Sequence, residues 1–301
     1  MSNKTSASPI MVNRRTFLQL AALSTAGFLA ACAADTAETA GDAEEQRVVA
    51  LNTGQLDNLL TLGILPVGAA KAKGAGVVPQ FIRDTFEGEF DLDSIADCGV
   101  RATPELETIA ALKPTLICAN SRTDEAVLKQ LRAIAPVVIG KGGGENWKED
   151  LLTIAKAVGK EDRAQELLGQ YEQDAKDFGA SLPEVPTVGF LRSKGDQFQV
   201  YGTASMAGTV AQDAGLKRPV SQQNFKKAGQ DISAEELSMA DAEWLFYGVQ
   251  DGAADPTTVA AWPTLEAVQN KAVKVDYEAW FLNASLLSAT IILDGFKEHL
   301  V

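Results

Sequence analysis

Short hydrophobic runs alternate with amphipathic stretches through the first half of the chain. The runs Val48–Leu51, Thr115–Cys118 and Pro136–Ile139 have the length and composition of buried strands. Between the last two lies Glu125–Ala133, whose apolar positions recur at helical spacing. Strands that alternate with helices are typical of parallel βαβ units. We therefore predict an α/β lobe over residues 47–160.

One uninterrupted helix is predicted from Glu161 to Phe178, because its apolar residues fall on one helical face. The prolines of Leu182–Pro186 break that pattern, and a second series of strands and helices begins. Its predicted strands are Val188–Leu191, Gln199–Tyr201, Leu245–Tyr247 and Val273–Val275, and its predicted helices are Met206–Ala214, Ala234–Met239 and one near Ala284–Leu300. The predicted fold class is α/β: two α/β lobes with mainly parallel sheets, joined by a single long α-helix at 161–180, with the second lobe at 181–301.

The N-terminal part of the sequence has the layout of an export signal. The apolar run Phe17–Ala31 carries no charge, follows the pair Arg14-Arg15 and ends at Cys32. It is too short to span a bilayer, which needs roughly twenty residues. We predict a signal peptide at 1–31 that resembles a twin-arginine lipoprotein signal, with lipidation of Cys32. An ordinary signal peptide with an incidental cysteine is the alternative.

The segment after this signal is small, polar and acidic, without an apolar period. Such a composition is typical of a flexible tether, which we place at residues 32–46. A lipid on the first residue of the tether would hold the folded part at the extracytoplasmic face of the cell membrane. The predicted location is therefore outside the cytoplasm, with a lipid anchor.

Composition narrows the classes of function. The chain has 27 Lys and Arg against 40 Asp and Glu, a formal net charge of −13. This balance argues against binding nucleic acid or anionic lipid by bulk attraction, but it allows a local basic cleft. The single histidine, His299, lies beside the C-terminus, so neither a Ser-His-Asp triad nor a histidine-based zinc site is predicted. We expect no catalytic residue and no protein ligand to a metal; a hydrolase that uses the Cys98 thiol is the enzymatic alternative.

Two cysteines remain once Cys32 is modified. In an oxidising compartment Cys98 and Cys118 are a candidate disulfide. The bridge would close a loop of about twenty residues and contribute roughly 3 kcal/mol. Two buried free thiols are the alternative, because a bridge needs Cα atoms within about 7 Å of each other.

The most specific part of the sequence is residues 97–117. Thr103 is predicted to cap a helix that has Pro104 in its first turn. The buried stripe of that helix would be Leu106, Ile109 and Leu112. Arg101 then lies in the loop before the helix, at a lobe edge where a cleft can form. A surface ion pair with Asp97 is the alternative for this arginine.

This segment resembles the substrate-binding proteins of the iron-siderophore and vitamin B12 ABC importers. Their first lobe carries a similar Asp-x-Gly-x-Arg, followed by Pro-x-Leu-Glu-x-Ile-x-x-Leu-Lys-Pro-x-Leu-Ile. The likeness covers roughly residues 47–299 and includes Arg132–Val137, Ile232–Leu237 and Trp262–Val268. It implies a ligand cleft between the lobes, a ferric siderophore as the ligand, and an ABC permease with its ATPase as the partner. It also implies a monomer without a cofactor, since the iron arrives already chelated.

Ligand-binding residues follow from the resemblance. Relatives in this family carry arginines at the positions of Arg101 and Arg192, and an arginine fork can donate to two iron-bound oxygens at once. Further candidates, by their position near predicted strand ends, are Arg122, Trp147, Tyr201 and Trp280. The alternatives are ordinary surface charge for the arginines and the hydrophobic core for the aromatic residues. The alternatives for the ligand are a corrinoid or haem, and a non-transport surface lipoprotein is the alternative for the whole chain.

Permease docking is also implied by the resemblance, in which one glutamate on each lobe contacts the permease. Glu107 stands in the Leu-Glu-x-Ile context and Glu235 in the Ser-x-Glu context. The neighbouring Glu236 makes the second assignment ambiguous, and a solvated helix face is the alternative for both positions.

The run Gly142–Gly144 is similar to a phosphate-binding loop in composition only. No Gly-Lys-Ser or Gly-Lys-Thr follows it, so it is not a nucleotide P-loop. We predict a flexible loop at the edge of the cleft.

Overall fold

The computed structural model describes residues 46–269 and 271–301, and Gln46–Val301 form one compact unit. The predicted signal at 1–31, the lipidation site Cys32 and the tether up to residue 45 lie outside the described residues. Within the described part of the chain, no helix is both long and apolar enough to cross a membrane.

The first sheet has six strands in the order β4-β3-β2-β1-β5-β6. Its strands are β1 (Val48–Ala50), β2 (Gly68–Lys71), β3 (Ala96–Val100), β4 (Thr103–Pro104), β5 (Leu116–Asn120) and β6 (Val137–Gly140). All neighbouring pairs are parallel except β3 with β4. The α/β lobe predicted from the alternation of apolar runs and helical stretches is confirmed.

Five helices cover this sheet. They are α1 (Thr53–Thr61), α2 (Gln80–Phe86), α3 (Leu106–Ala111), α4 (Glu125–Ile134) and α5 (Trp147–Ala157). The prediction that Thr103 caps α3 is wrong. Thr103 and Pro104 pair with Val100 and Gly99 in a short antiparallel strand, so the helix begins only after Glu105. Gly99, which pairs with Pro104, has a φ of 83°, and a Cβ there would lie 2.9 Å from Cγ of Glu105, so this pairing requires glycine.

A helix of 21 residues, α6 (Glu161–Ser181), follows the first sheet. Its buried residues are Ala164, Leu167, Tyr171, Ala175 and Phe178, the face that the sequence predicts. The ring of Tyr171 meets Trp147 of α5 edge-on, with 5.1 Å between the ring centres. The hydroxyl of Tyr171 donates to Asp213 at 2.9 Å. The helix therefore contacts elements from both sides of the chain.

The second sheet has five strands in the order β11-β10-β7-β8-β9. They are β7 (Val188–Lys194), β8 (Gln197–Tyr201), β9 (Gly229–Ile232), β10 (Trp244–Gly248) and β11 (Ala272–Lys274), accompanied by helices α7 (Met206–Asp213) and α8 (Leu286–His299). Strands β7, β10 and β11 are parallel, whereas β8 and β9 are antiparallel. The predicted helix Ala234–Met239 is a 3₁₀ segment, Ala234–Ala240. Two α/β lobes, each built on its own sheet, are confirmed.

One hydrophobic cluster extends through both lobes. It includes Val48 and Leu56 from the first lobe, Tyr171 of α6, and Phe190 and Phe296 from the second. Around Phe246, the rings of Phe190, Trp280 and Phe296 lie within 6.2 Å, centre to centre. The lobes are therefore joined by continuous packing as well as by α6.

The candidate disulfide is absent, and Cys98 and Cys118 are free, buried thiols. They lie on β3 and β5, which are separated by β2 and β1, so about 14 Å of sheet lies between them. They also belong to different hydrophobic clusters on the two faces of the sheet. Burial raises the pKa of Cys98 to about 11 and that of Cys118 to about 12, which leaves both thiols protonated and unreactive.

Candidate functional site

A cleft of about 200 Å³ opens between the lobes. Its lining includes Asn52 after β1, Arg101 after β3 and Asn120 at the end of β5. Tyr201, the last residue of β8, contributes the wall from the second lobe. Residues beyond the carboxyl ends of parallel strands converge at one edge of a sheet, which is where α/β proteins place ligands.

Three arginines come together at this cleft. Arg101 and Arg122 line it from the first lobe. Desolvation, followed by the positive charges of Arg122 and Arg192, lowers the pKa of Arg101, so both of those guanidinium groups are close enough to act on Arg101. Asp97 binds Lys71 instead of Arg101, so the surface ion pair considered for Arg101 is wrong.

Arg192, in β7, is held beside the cleft wall. Its Nε donates to Gln199 at 3.0 Å and its Nη1 donates to the hydroxyl of Tyr277 at 3.4 Å. The guanidinium carbon lies 5.4 Å from the centre of the Tyr201 ring. Neutral partners and an aromatic face fix the orientation of this cation without cancelling its charge.

The predicted aromatic residues have different positions. Tyr201 is half-buried and lines the cleft, and burial raises its pKa to about 12. Trp280 borders the cleft but is only 3% exposed, since its ring packs on Phe246 at 5.1 Å. Trp147 is 1% exposed and packs against Tyr171. The prediction of Trp147 as a ligand contact is therefore wrong, because the first residue of α5 turns into the core beneath α6.

The backbone of Gly142–Gly144 forms part of the lining, as predicted for this run. A Cβ on Gly144 would lie 2.2 Å from the backbone nitrogen of Met206. Only glycine lets this loop of the first lobe approach the start of α7 in the second lobe so closely.

The polar floor of the cleft was not predicted from sequence. It includes Gln55 and Asn58 from α1 and Asn283 from the segment before α8. Directly below, Asp57 is fully buried, and one of its oxygens accepts hydrogen bonds from Asn283 and, at 2.7 Å, from Ser285. Burial raises the pKa of Asp57 to about 8. The polar residues that follow the predicted strand Val48–Leu51 could have indicated the contribution of α1 to the cleft. The sequence around Asn283 does not indicate that it lines the cleft.

Arg218 supports the wall from behind and was also missed. Its guanidinium is buried over Phe190, 4.1 Å from the ring centre, and donates to the carbonyls of Val188 and Tyr201. Burial lowers the pKa of Arg218 to about 9. By binding the backbone of Tyr201, Arg218 fixes the end of β8 at the cleft.

The lining carries one carboxylate, Asp150, which is already engaged. Its two oxygens accept the backbone N–H groups of Lys141 at 2.6 Å and Gly142 at 2.8 Å. The described residues contain no group of three or more His, Cys, Asp or Glu side chains that could hold a metal ion. The cleft is therefore a positively charged, donor-rich site suited to oxygen-rich or anionic ligands.

Both predicted docking glutamates are exposed. Glu107 lies in the first turn of α3 and Glu235 in the 3₁₀ segment of the second lobe. Glu236 is engaged, since its carboxylate accepts the backbone N–H of Ser233 at 3.0 Å in a capping box. Glu235 also has local hydrogen bonds, from its own backbone N–H and from the side chain of Ser233, and these lower its pKa.

Relatives of known name share most of this chain. YfiY of Bacillus subtilis (strain 168), a probable siderophore-binding lipoprotein, is 30% identical over 275 residues, which cover 85% of this chain and 83% of YfiY. The Fe(3+)-citrate-binding protein YfmC of the same organism is 31% identical over 244 residues, covering 78% of this chain and 74% of YfmC.

Solved structures share the fold. Staphylococcus aureus SirA has a TM-score of 0.72 and 27% identity, with 85% of this chain and 98% of SirA covered. SirA has also been solved in complex with staphyloferrin B. The sequence profile of the family described as periplasmic binding protein matches residues 48–278, and the chain belongs to this family.

Proposed function

We propose that the protein is an extracytoplasmic solute-binding lipoprotein that captures a ferric siderophore and delivers it to an ABC import permease. The observation that carries this proposal is the convergence of Arg101, Arg122 and Arg192 on a donor-rich cleft between two lobes. Guanidinium groups suit the oxygen atoms that surround ferric iron in a chelate, since each fork can donate two parallel hydrogen bonds. The names of YfiY and YfmC support the same assignment.

The mechanism is binding and release rather than catalysis. Arg101 and Arg122 would meet the ligand from the first lobe, while Arg192 and Tyr201 would meet it from the second. Continuous packing through α6 would limit closure to a small hinge movement. The chelate supplies every iron ligand, so the protein recognises the outer oxygens and the organic frame, and no cofactor takes part.

The leader and tether complete this proposal. Residues 1–31 would direct export by the twin-arginine route and be removed. Cys32 would carry the lipid, and residues 32–46 would leave the folded lobes free to reach the permease. Glu107 and Glu235 would contact the two permease subunits as a monomeric carrier docks.

Haem is the principal alternative ligand, because it could take an axial oxygen from a tyrosine. Tyr201 supplies a phenol to the cleft wall. Burial raises the pKa of that phenol to about 12, which opposes the phenolate that ferric haem would require. His299 packs its ring 6.3 Å from Phe246, at the end of α8, and does not line the cleft.

The test is a titration of the purified full-length chain, followed by tryptophan fluorescence and calorimetry. The titrants are ferric and iron-free siderophores of the hydroxamate, catecholate and carboxylate classes, haem and cobalamin. Saturable binding of one ferric class at submicromolar concentration, with weak binding of its iron-free form, is expected. Saturation by haem or cobalamin alone would replace the proposed ligand, and absence of any saturable response would refute the transport assignment.

A further inference from the structure

The three cleft arginines lack carboxylate partners. Among residues 46–269 and 271–301, no Asp or Glu lies within ion-pair distance of Arg101, Arg122 or Arg192. By contrast, Arg83, Arg132 and Arg163 on the outer surface each pair with a carboxylate at 2.7–2.8 Å. The cleft therefore holds three arginines without a direct ion pair in the described chain, and only the more distant charge of Asp231 acts on Arg192.

Helix ends add to this positive field. The N-terminal residues of α1 (Asn52–Gln55) and α7 (Ser205 and Met206) line the cleft, as does Ala284 just before α8. The N-terminal end of a helix carries a partial positive charge from its unpaired N–H groups. Lys226 and Lys227 are exposed immediately before Ala228, another lining residue. Helix N-terminal ends from both lobes thus add partial positive charge at the cleft.

Negative charge at the cleft is limited. Asp150 is the one carboxylate among the described lining residues, and two backbone N–H groups hold its oxygens. The carboxyl of Asp57, beneath the floor, is sealed by Asn283 and Ser285, and its raised pKa of about 8 keeps most of it protonated at neutral pH. The whole chain nevertheless has a formal net charge of −13. The cleft is a basic exception within an acidic protein.

We infer that the ligand is a multiply charged iron chelate of the hydroxycarboxylate type, whose free or iron-bound carboxylates pair with Arg101, Arg122 and Arg192. This inference rests on the proposed function and specifies its ligand. A carboxylate matches the planar fork of arginine with two parallel hydrogen bonds. Because the arginines come from both lobes, a chelate with several carboxylates would bridge them.

The competing classes fit this lining less well. A neutral trihydroxamate would partly desolvate three guanidinium groups without neutralising them, which is unfavourable. A triscatecholate is anionic, but it presents bulky aromatic rings. The described lining is rich in Asn, Gln, Ser and Gly, and Tyr201 is its one half-buried aromatic ring. The side-chain amides of Gln55 and Asn283 already donate to Ala119 and Asp57, so a compact, oxygen-rich anion would accept from the arginines and from Asn52, Asn58 and Asn120.

The experiment compares chelates of different charge on the full-length chain. The probes are ferric citrate, gallium citrate, ferrichrome as a neutral trihydroxamate and a ferric triscatecholate, titrated at about 0.05 and 0.5 M salt. Ferric and gallium citrate should bind at least about tenfold more tightly than ferrichrome. Their affinity should fall at the higher salt concentration, because screening weakens charge pairing.

Single variants locate the effect. Arg101→Gln, Arg122→Gln and Arg192→Gln should each weaken citrate-chelate binding about tenfold and reduce its salt dependence, with little change for ferrichrome. Arg163→Gln, which removes an arginine that pairs with Glu166 on α6, is the matched control and should bind like the parent. Thermal melting of each variant checks that it is folded.

The possible results test the ligand class separately from the proposed capture of a ferric siderophore. Equal or tighter binding of ferrichrome or the triscatecholate would overturn the hydroxycarboxylate assignment and leave capture of a ferric siderophore intact. Citrate-chelate binding that is insensitive to salt and to all three substitutions would overturn the role of the arginines. If no ferric chelate of any class binds, the proposed function fails as well.

Discussion

Asp57 of α1 and Asn283, just before α8, are hydrogen-bonded to each other although 226 positions separate them in the chain. Ser285, the N-cap of α8, donates to the same carboxylate oxygen at 2.7 Å. The amide of Asn283 also reaches Ser288 at 2.9 Å. This buried cluster joins the first lobe to the last helix directly beneath the cleft.

The Asp57 cluster predicts a pH dependence of stability. Burial raises the pKa of Asp57 from 3.8 to about 8 in the folded protein. Between these values the folded state binds more protons than the unfolded state, so stability should fall as the pH rises from about 4 to 8, by up to about 1.4 kcal/mol per pH unit. Asp57→Asn should lack this contribution. Urea unfolding of both proteins at a series of pH values measures the difference, and parallel curves would contradict it.

Truncation of Trp147 should mainly lower stability, whereas truncation of Tyr201 should mainly lower ligand affinity. Trp147→Ala should lower the free energy of unfolding by about 3–5 kcal/mol, because it empties a core site against Tyr171, and the remaining folded protein should keep its ligand affinity. Tyr201→Ala should weaken ligand binding by about tenfold with a smaller loss of stability. Denaturant unfolding and titration of both variants test this. A large loss of affinity in the mild variant Trp147→Phe would contradict the core assignment.

Close contact between the lobes at Gly144 can be tested with alanine. Gly144→Ala would place a Cβ 2.2 Å from the backbone of Met206, so the loop and α7 must separate, with a loss of about 1–3 kcal/mol and weaker ligand binding. The matched control is Gly169→Ala on α6, where nothing lies within 4 Å of the added atom. That variant should gain roughly 0.5–1 kcal/mol from helix propensity. Equal behaviour of the two variants would argue against the tight approach.

Thiol labelling tests the separation of Cys98 and Cys118. In the variant Cys32→Ala, neither remaining thiol should react with a maleimide while the protein is folded, because both are buried with raised pKa values. In urea without reductant, both should react. Mass spectrometry counts the adducts, and a denatured chain that stays unlabelled until it is reduced would indicate the bridge that the structure lacks.

If Glu107 and Glu235 contact the permease, substituting them should impair delivery of the ligand to the permease but leave ligand binding unchanged. Glu107→Lys and Glu235→Lys reverse the charge of exposed side chains that lie outside the cleft lining. Ligand affinity should stay unchanged, whereas stimulation of the permease ATPase in proteoliposomes should fall, and most in the double variant. Glu236→Gln is the control, since its carboxylate caps the 3₁₀ segment. Full stimulation by the double variant would remove docking from both positions.

Local patterns were sufficient to predict the lobes and the linking helix. Val48–Leu51 and Thr115–Cys118 lie in or beside neighbouring parallel strands, and Tyr171 lies on the predicted face of α6. Arg101 was predicted from the loop before its helix and from the family resemblance, and Arg122 from its place after a predicted strand; both line the cleft. Arg192 followed from the family resemblance and stands beside Tyr201.

The errors arose where long-range packing overrides local preference. Thr103-Pro104 is a common start for a helix, yet Gly99 and Val100 recruit it into a strand. From sequence, Trp147 could face either the cleft or the core. It faces the core because its ring packs against Tyr171 of α6. The hydrogen bond between Asp57 and Asn283 could not be predicted from sequence, because the residues next to each of them do not indicate a partner 226 positions away.

The hydrophobic cluster that extends from Val48 through Tyr171 to Phe296 has a consequence for cooperativity. Each lobe has a separate cluster on one face of its sheet, but on the other face the two lobes share one interior with side chains from α6 and α8. A truncation after α6 would expose the aromatic partners of the first lobe to water. We therefore expect the two lobes to melt in a single calorimetric transition, with a bound ligand shifting the whole transition to higher temperature rather than splitting it.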